Sequence, residues 1–467
     1  MKNFLKSKNF LIIILVILGL TTRLIFLDHP NELVFDEVHF GKFVSAYFTG
    51  EYYFDIHPPL GKLLIALGAK LGGYDNYVNN FGVFDFANIG EEFPSDLNYV
   101  SFRILPAIFG GLIPLVVFLF LDALKLPRKF AFFAGLSLVF ENALTTQSHN
   151  ILMDSFLIFF GFLGLWFFLK AREKDYNNLF LLLMAFSLTF SFGIKWTGLS
   201  FWGLAGLIAL YDLFKTSSLS GNKLQLKRFW VFFKNLFTNK KTSKIILDIL
   251  IYFIILPFVI YFLIFAIHFW LLPNPGNGNA FMSEEFNNNK FNVFEKFLEL
   301  NIQMYQSNIS IKASHPYGSP FYSWPLMLKP IYYWVDSNSE IPSRIYLLGN
   351  PIIWYSALIG LIGSLLLKGL TDQEKFQRNV LVIGYFANFL PFWEVSRVLF
   401  LYHYFAAFIF SVCLLWFSLA HLKVNNKVVL VFFALTIISF MFFAPLTYGF
   451  PLTPSKYNLR IWLKTWI

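Results

Sequence analysis

The sequence predicts an all-α integral membrane protein with many spans, and three observations carry that prediction. The 467-residue chain is 57% hydrophobic and only 14% charged, with 62 Phe, far from the composition of a soluble globular domain. Its apolar residues fall into repeated runs near the roughly 17–25 residues that a spanning helix needs. Its basic residues gather in short gaps between those runs, the distribution that orients a membrane protein.

Eleven runs qualify: 9–27, 102–121, 130–148, 151–170, 178–194, 197–214, 246–271, 351–368, 379–393, 398–420 and 428–447, the ninth being the weakest. The first follows Lys2, Lys6 and Lys8 as a secretory signal would. Thr21, Thr22 and Arg23 stand where small residues would mark cleavage, so it reads as an uncleaved span. An odd number of spans puts the termini on opposite sides. With the N-terminus inside, the inner segments hold 22 of the 37 Lys and Arg, which predicts N-in and C-out. Two long external loops result, 28–99 and 272–350. They divide the chain into an N-terminal module (1–271), an external loop (272–350) and a C-terminal module (351–467).

In the first loop, Phe40, Val44, Tyr47 and Phe48 recur at helical spacing, and so do Leu60, Leu63, Leu64, Leu67 and Leu71. Both stretches are too short to span, which predicts helices lying along the outer membrane surface. Pro58 and Pro59 suit the first turn of the second helix, and the first of them holds His57 extended. Residues 215–245 predict a basic cytoplasmic linker whose "FWVFF" (229–233) rests on the bilayer. "PNPGNGNAFMSEEFNNNKFN" (273–292) predicts a mobile loop. No internal repeat is visible.

Composition also excludes several functions. The single cysteine, Cys413, rules out an intramolecular disulfide and a Cys-based metal site. The net charge of +10 does not mark a nucleic-acid binder, because the basic residues serve topology. A transporter or polyprenol-binding scaffold is a remote alternative: it would place ionisable groups near the bilayer midplane and often repeat its halves, whereas here they gather at one face and no repeat is visible.

The ionisable residues that ordinary solvation explains least cluster on one face. Arg23 lies at the outer end of the first span, Arg103 at the start of the second, and Asp154 at the start of the fourth. Lys195 sits in the tight "GIKWTG" turn and Arg397 at the start of the tenth span. Such groups at membrane depth point to a substrate path; snorkelling of the arginines and helix capping by Asp154 are the plain alternatives. In "FDEVHFG" (35–41), Asp36 and Glu37 diverge by about 100° on a helix, so one can face a pocket while the other holds the local structure. With His39 they form only a weak metal signal, so a divalent metal is disfavoured and no cofactor is predicted. His315, Tyr317, Tyr322, Trp324 and Trp334 suit stacking on a sugar or peptide, or an aromatic belt.

The blocks "VFDEVHFGKF", "FDIHPPLGKLLIALGAKLGGYD", "FRILPAIFGG", "NILMDSFLIFF", "GIKWTGL", "SHPYGSPFYSWPLMLKPI", "GNPIIW" and "SRVLFLYHYFAA" resemble, in order, those of protein O-mannosyltransferases. These are membrane-embedded glycosyltransferases of the GT-C class. The resemblance runs from residue 23 to about 408. It implies an eleven-span helical bundle with an extracytoplasmic active site, a polyprenyl-phosphate mannose donor and a Ser or Thr hydroxyl of a polypeptide as acceptor. By position it implies Asp36 as catalytic base with Glu37 as partner, and Arg23, Arg103, Lys195 and Arg397 toward the donor phosphate. His39, His57, Asp154, His315, Tyr317, Trp324 and His403 lie in the same blocks as substrate-binding or supporting residues. The loop 272–350 is too short for the β-trefoil MIR domain of eukaryotic members, so the chain looks like the compact prokaryotic form of a plasma membrane; the endoplasmic reticulum is the eukaryotic counterpart. The resemblance leaves room for a dimer and for coupling to the secretion machinery. A GT-C enzyme with the same donor but a lipid or glycan acceptor would share these blocks.

Overall fold

The computed structural model describes residues 7–216, 240–310, 314–336, 339–395 and 397–466. Most of the predicted linker 215–245, including "FWVFF", lies outside the described residues. The fold is mostly helical. Helix α1 (Lys8–Leu24) begins at Ser7, whose Oγ accepts from the Phe10 N–H at 3.4 Å, and is followed by α2 (Glu37–Thr49), α3 (Leu60–Leu71) and α4 (Tyr74–Phe81). The long α5 (Val100–Ala123) then leads to α6 (Arg128–Val139), α7 (Asn142–Ser148), α8 (Asp154–Glu173), α9 (Asn178–Ile194) and α10 (Leu199–Thr216). Helix α11 (Lys240–Ile249) continues through a π-helical stretch (Leu250–Ile255) into α12 (Leu256–Leu271).

Beyond α12 come α13 (Glu284–Asn287), α14 (Val293–Ser310) and a hairpin of β1 (Ile331–Asp336) and β2 (Ser343–Leu347). The strands pair antiparallel, Ile331 opposite Leu347, with an irregularity between Tyr332 and Trp334. The chain closes with α15 (Pro351–Leu366), α16 (Asp372–Phe389), α17 (Phe405–His421), α18 (Asn426–Tyr448) and α19 (Pro454–Asn458). Among the described residues five helical segments are long and apolar enough to cross a membrane: Val100–Ala123, Asp154–Glu173, Ile246–Leu271, Leu401–His421 and Asn426–Tyr448. One continuous hydrophobic core joins α1 and α5 to α15 and α17, so both halves of the chain build it.

Two features depart from the sequence reading. The run 130–148 breaks at Phe140–Glu141, because Glu141 is buried and its Oε2 accepts from the Leu144 N–H (2.6 Å) while its Oε1 accepts from the Asn350 N–H (2.8 Å). The 273–292 segment is not loose. Asn274 exchanges backbone hydrogen bonds with Gly50 and Tyr52 (2.9 Å each), Phe281 stacks on Phe54 at 4.6 Å, and Met282 and Phe286 are buried in a second core beneath α12 and α14. Its Gly and Asn residues serve close backbone approach: a Cβ on Gly276 would meet the Tyr52 carbonyl oxygen at 2.4 Å.

Candidate active site

The carboxylate pair separates at the start of α2. A turn closes where the Glu37 N–H donates to the Val34 carbonyl (3.0 Å), and Phe35 within it has φ +48°. Such a conformation costs a bulky residue about 1–3 kcal/mol and needs outside support. Tyr333 of β1 supplies it: the two rings stack 4.2 Å apart, and the Phe35 N–H donates to the Tyr333 carbonyl (3.2 Å). The turn sends Glu37 inward, where it is fully buried. Its oxygens accept from Arg103 Nε and Nη2, both at 2.8 Å, and from the Val34 and Ile151 N–H groups, both at 2.9 Å. Four hydrogen bonds use the acceptor capacity of a carboxylate. Glu37 therefore anchors the turn.

Asp36 is the N-cap of α2, yet its side chain makes no capping bond, and it has no ion pair or hydrogen bond with any described residue. It is half-buried. Burial raises its pKa to about 7 against the pull of Lys195, with Asp154 and Asp55 adding to the rise.

Lys195 follows the last turn of α9 in an extended conformation, which lifts its side chain out of the helix toward α8. Its Nζ donates to Asp154 Oδ1 at 2.8 Å and lies 5.3 Å from the Tyr402 ring. Asp154 Oδ2 accepts from Gln147 Nε2 at 2.7 Å, and Gln147 Oε1 accepts from the Tyr333 hydroxyl at 2.5 Å. A chain of hydrogen bonds thus runs from the residue that props Phe35 to the lysine. Asp154, Lys195, Asn388, Tyr402 and His403 line a cavity of about 360 Å³.

A second buried pair, Lys62 with Asp55, closes the other side, and Lys62 also donates to the His57 carbonyl at 2.8 Å. The His57 imidazole sits well below its ordinary pKa, chiefly through burial and then through Lys195, Arg397, Lys62 and His403. It is neutral at pH 7. Arg397 is half-buried and has no hydrogen-bond or ion-pair partner among the described residues; Tyr402 and Asp55 are the groups it feels. With Lys62 matched to Asp55 and Lys195 to Asp154, the cluster leaves one carboxylate and one guanidinium unpaired among the described residues, Asp36 and Arg397. Among the described residues no three His, Cys, Asp or Glu side chains form a group able to hold a metal ion.

Residues 13–273, more than half of the chain, match the family model described as "Dolichyl-phosphate-mannose-protein mannosyltransferase". The chain belongs to the protein O-mannosyltransferase family. A second family model, "C-terminal four TMM region of protein-O-mannosyltransferase", matches residues 293–466. Dolichyl-phosphate-mannose–protein mannosyltransferase 1 of Saccharomyces cerevisiae is 33% identical over 285 residues, 60% of this chain and 32% of that protein. Protein O-mannosyl-transferase 1 of Rattus norvegicus is 36% identical over 200 residues, 41% of this chain and 26% of that protein. The chain spans about a third of the length of the curated relatives it matches. The S. cerevisiae Pmt1-Pmt2 complex bound to the sugar donor has the same fold, with a TM-score of 0.85 at 20% identity over 98% of this chain and 92% of that one. ArnT from Cupriavidus metallidurans bound to undecaprenyl phosphate matches with a TM-score of 0.50 at 15% identity, over 90% of this chain and 62% of that one.

Within this protein O-mannosyltransferase chain, the expected site residues divide into two groups. Asp36, His57, Asp154, Lys195, Arg397 and His403 converge, and His315 is exposed beside them with its ring against Phe35 (6.5 Å) and Phe400 (5.1 Å). Five others do different work. Arg23 is 1% exposed and caps the end of α6, donating to the Leu138 (2.6 Å) and Val139 (2.7 Å) carbonyls. Arg103 is equally buried, held by Glu37 and the Pro30 (2.7 Å) and Glu32 (2.9 Å) carbonyls between the rings of Phe93 and Tyr99. Both guanidinia hold the fold together here through these buried contacts. Trp324 is completely buried and stacks on His403 at 6.0 Å, with its Nε1 donating to Ser319 Oγ (3.0 Å), so it offers no face to a sugar. Tyr317 stacks on Tyr332 of the hairpin, and His39 is exposed on the first turn of α2. The sequence reading missed Asp55, Lys62, Gln147, Tyr333 and Tyr402. Only Lys62 left a signal, a lysine in "HPPLGK" within the first turn of a largely apolar helix.

Proposed function

We propose that the chain transfers mannose from a polyprenyl-phosphate mannose donor to Ser or Thr hydroxyls of polypeptides, on the extracytoplasmic side of the membrane and with inversion at the anomeric carbon. The observation that carries this reading is the Asp36 carboxylate, unpaired among the described residues and with a pKa of about 7, within the electrostatic reach of Lys195 and Asp154, which line the cavity. A general base works best when its pKa lies near the working pH. Asp36 takes the proton from the acceptor hydroxyl as that oxygen forms its bond to the anomeric carbon. The bond from that carbon to the phosphate oxygen breaks on the opposite face, and the lipid phosphate leaves with the electron pair. A phosphate ester is a good leaving group, so no second carboxylic acid is required, unlike in a glycosidase. Arg397 and Lys195 supply fixed positive charge where negative charge develops.

The lipid half of the donor has a matching surface. The same two helices that supply Ser200 and Asn388 to the cavity, α10 and α16, also line a separate groove of about 400 Å³, apolar at Leu204, Leu207, Ile208, Val380 and Ile383 and charged at Asp372 and Lys375. A headgroup between Lys195 and Arg397 lets an isoprenoid chain descend between these helices.

The decisive experiment is transfer from labelled polyprenyl-phosphate mannose to a Ser/Thr peptide by purified protein. Asp36→Asn is expected to bind donor normally and lose transfer by about 10²–10⁴; wild-type turnover in that variant would remove Asp36 as the base. Arg397→Ala is expected to weaken donor binding by roughly tenfold or more, as loss of a charge-assisted hydrogen bond does. Unchanged affinity would assign Arg397 to the membrane surface instead.

A further inference from the structure

Helix α14 presents three faces. Phe297, Leu300 and Met304 are buried against α12 and the outer segment 272–286. Glu295, Gln303 and Gln306 mark a polar face. The third consists of Phe294, Leu298, Ile302, Tyr305 and Ile309, each 45–58% exposed. At 100° per residue these five fall within about 80° of arc, a continuous apolar stripe along the whole helix.

The neighbourhood identifies what covers that stripe. Phe294 packs on Phe262 of α12 at 6.0 Å, and Phe258, Val259 and Leu263 beside it are 43–51% exposed. These belong to the Ile246–Leu271 segment, whose apolar window is only 28% buried. Phe262 stands about 14 Å of helix rise short of Leu271, so α14 meets α12 at a level within the apolar segment. A helix with one face on protein, one polar and one apolar and continuous with a lipid-facing surface has the pattern of an interfacial helix.

We infer that α14 is seated in the leaflet nearest the active site, its stripe among lipid acyl chains, and that this seating clamps one wall of the site. The link is Asn308 at the end of α14, whose Nδ2 donates to the Ile56 carbonyl at 2.9 Å. Ile56 lies between Asp55, partner of Lys62, and His57.

The test uses the full chain in lipid nanodiscs, with a spin label on Leu298→Cys, Ile302→Cys, Gln303→Cys or Gln306→Cys; the native Cys413 is fully buried and does not compete. Labels at 298 and 302 are expected to collide more with oxygen than with a water-soluble nickel chelate, and labels at 303 and 306 the reverse. Chelate access to the stripe would overturn the inference, and so would exclusion of both reagents, which assigns the stripe to a partner subunit or a second copy. For the clamp, Leu298→Glu with Ile302→Glu, and separately Asn308→Ala, are expected to speed amide exchange over residues 53–57 by about tenfold, as local opening there becomes easier. Unchanged exchange in both variants would overturn the clamp. Neither readout depends on catalysis, so the proposed transfer reaction stands or falls apart from them.

Discussion

Asp36 owes its availability to its neighbours. Glu37 takes the arginine and the backbone donors, Phe35 takes the strained conformation, and the Asp36 side chain is left with no partner among the described residues. Its raised pKa sets the sign of the pH dependence. With Asp36 as the proposed base, its carboxyl is protonated below about 7 and cannot accept a proton, so transfer is expected to fall as pH drops through that value. The log of kcat/KM against pH is expected to show an acidic limb of unit slope bending near pH 7, absent from donor binding; a flat profile through this region would point to a different base. Tyr333 separates positioning from chemistry. Tyr333→Phe keeps the ring on Phe35 and loses only the hydroxyl bond to Gln147, the first link of the chain that steadies Lys195 through Asp154. One hydrogen bond is worth about 1 kcal/mol, so the donor KM is expected to rise roughly fivefold with the acidic limb unmoved. A shift of the limb would place the hydroxyl at the base itself.

At the scale of elements, packing depends on close crossings more than on bulk hydrophobicity. Helices α1 and α5 meet at Gly19 and Gly111, where a Cβ on Gly19 would lie 2.2 Å from the Gly111 carbonyl oxygen. Backbone on backbone cannot yield as a flexible side chain would. Gly19→Val is therefore expected to lower the melting temperature of the purified protein strongly, beyond the usual 1–3 kcal/mol of overpacking. Gly203→Val, at a position of α10 with nothing within 4 Å, serves as the near-neutral control. The same contrast explains what was legible beforehand. Apolar runs announce helices, so every predicted run contains helix, and Phe40 and Leu60 do open onto α2 and α3. The break at Glu141 was hidden, because its reason is the N–H of Asn350, 209 residues away. The hairpin was hidden because "IYYWVD" also reads as an aromatic belt. Arg23 and Arg103 stood out as ionisable groups at membrane depth, but the carbonyls and the carboxylate that hold them come from distant segments, and no local pattern reports them.

The whole molecule brings the two halves of the chain to one site. Asp36, His57 and Lys195 come from before residue 200, while Tyr333, Arg397 and His403 come from after 330. The proposed orientation rests on charge: 22 of the 37 Lys and Arg fall in the segments assigned to the inner side. In that proposed orientation the site opens outward, and Leu67 and Leu71, exposed on the short α3, face the outer surface beside it. This arrangement makes a prediction that no single residue makes. In sealed membrane vesicles carrying the donor, a Ser/Thr peptide added outside is expected to be mannosylated when the vesicles are right-side-out. Inverted vesicles are expected to modify it only after permeabilisation, because a polar peptide does not cross the bilayer during the assay. Equal labelling in both would mean mixed insertion, which protease cleavage of tagged termini detects independently. Labelling confined to intact inverted vesicles would reverse the topology, and the positive-inside assignment on which it stands would fail with it.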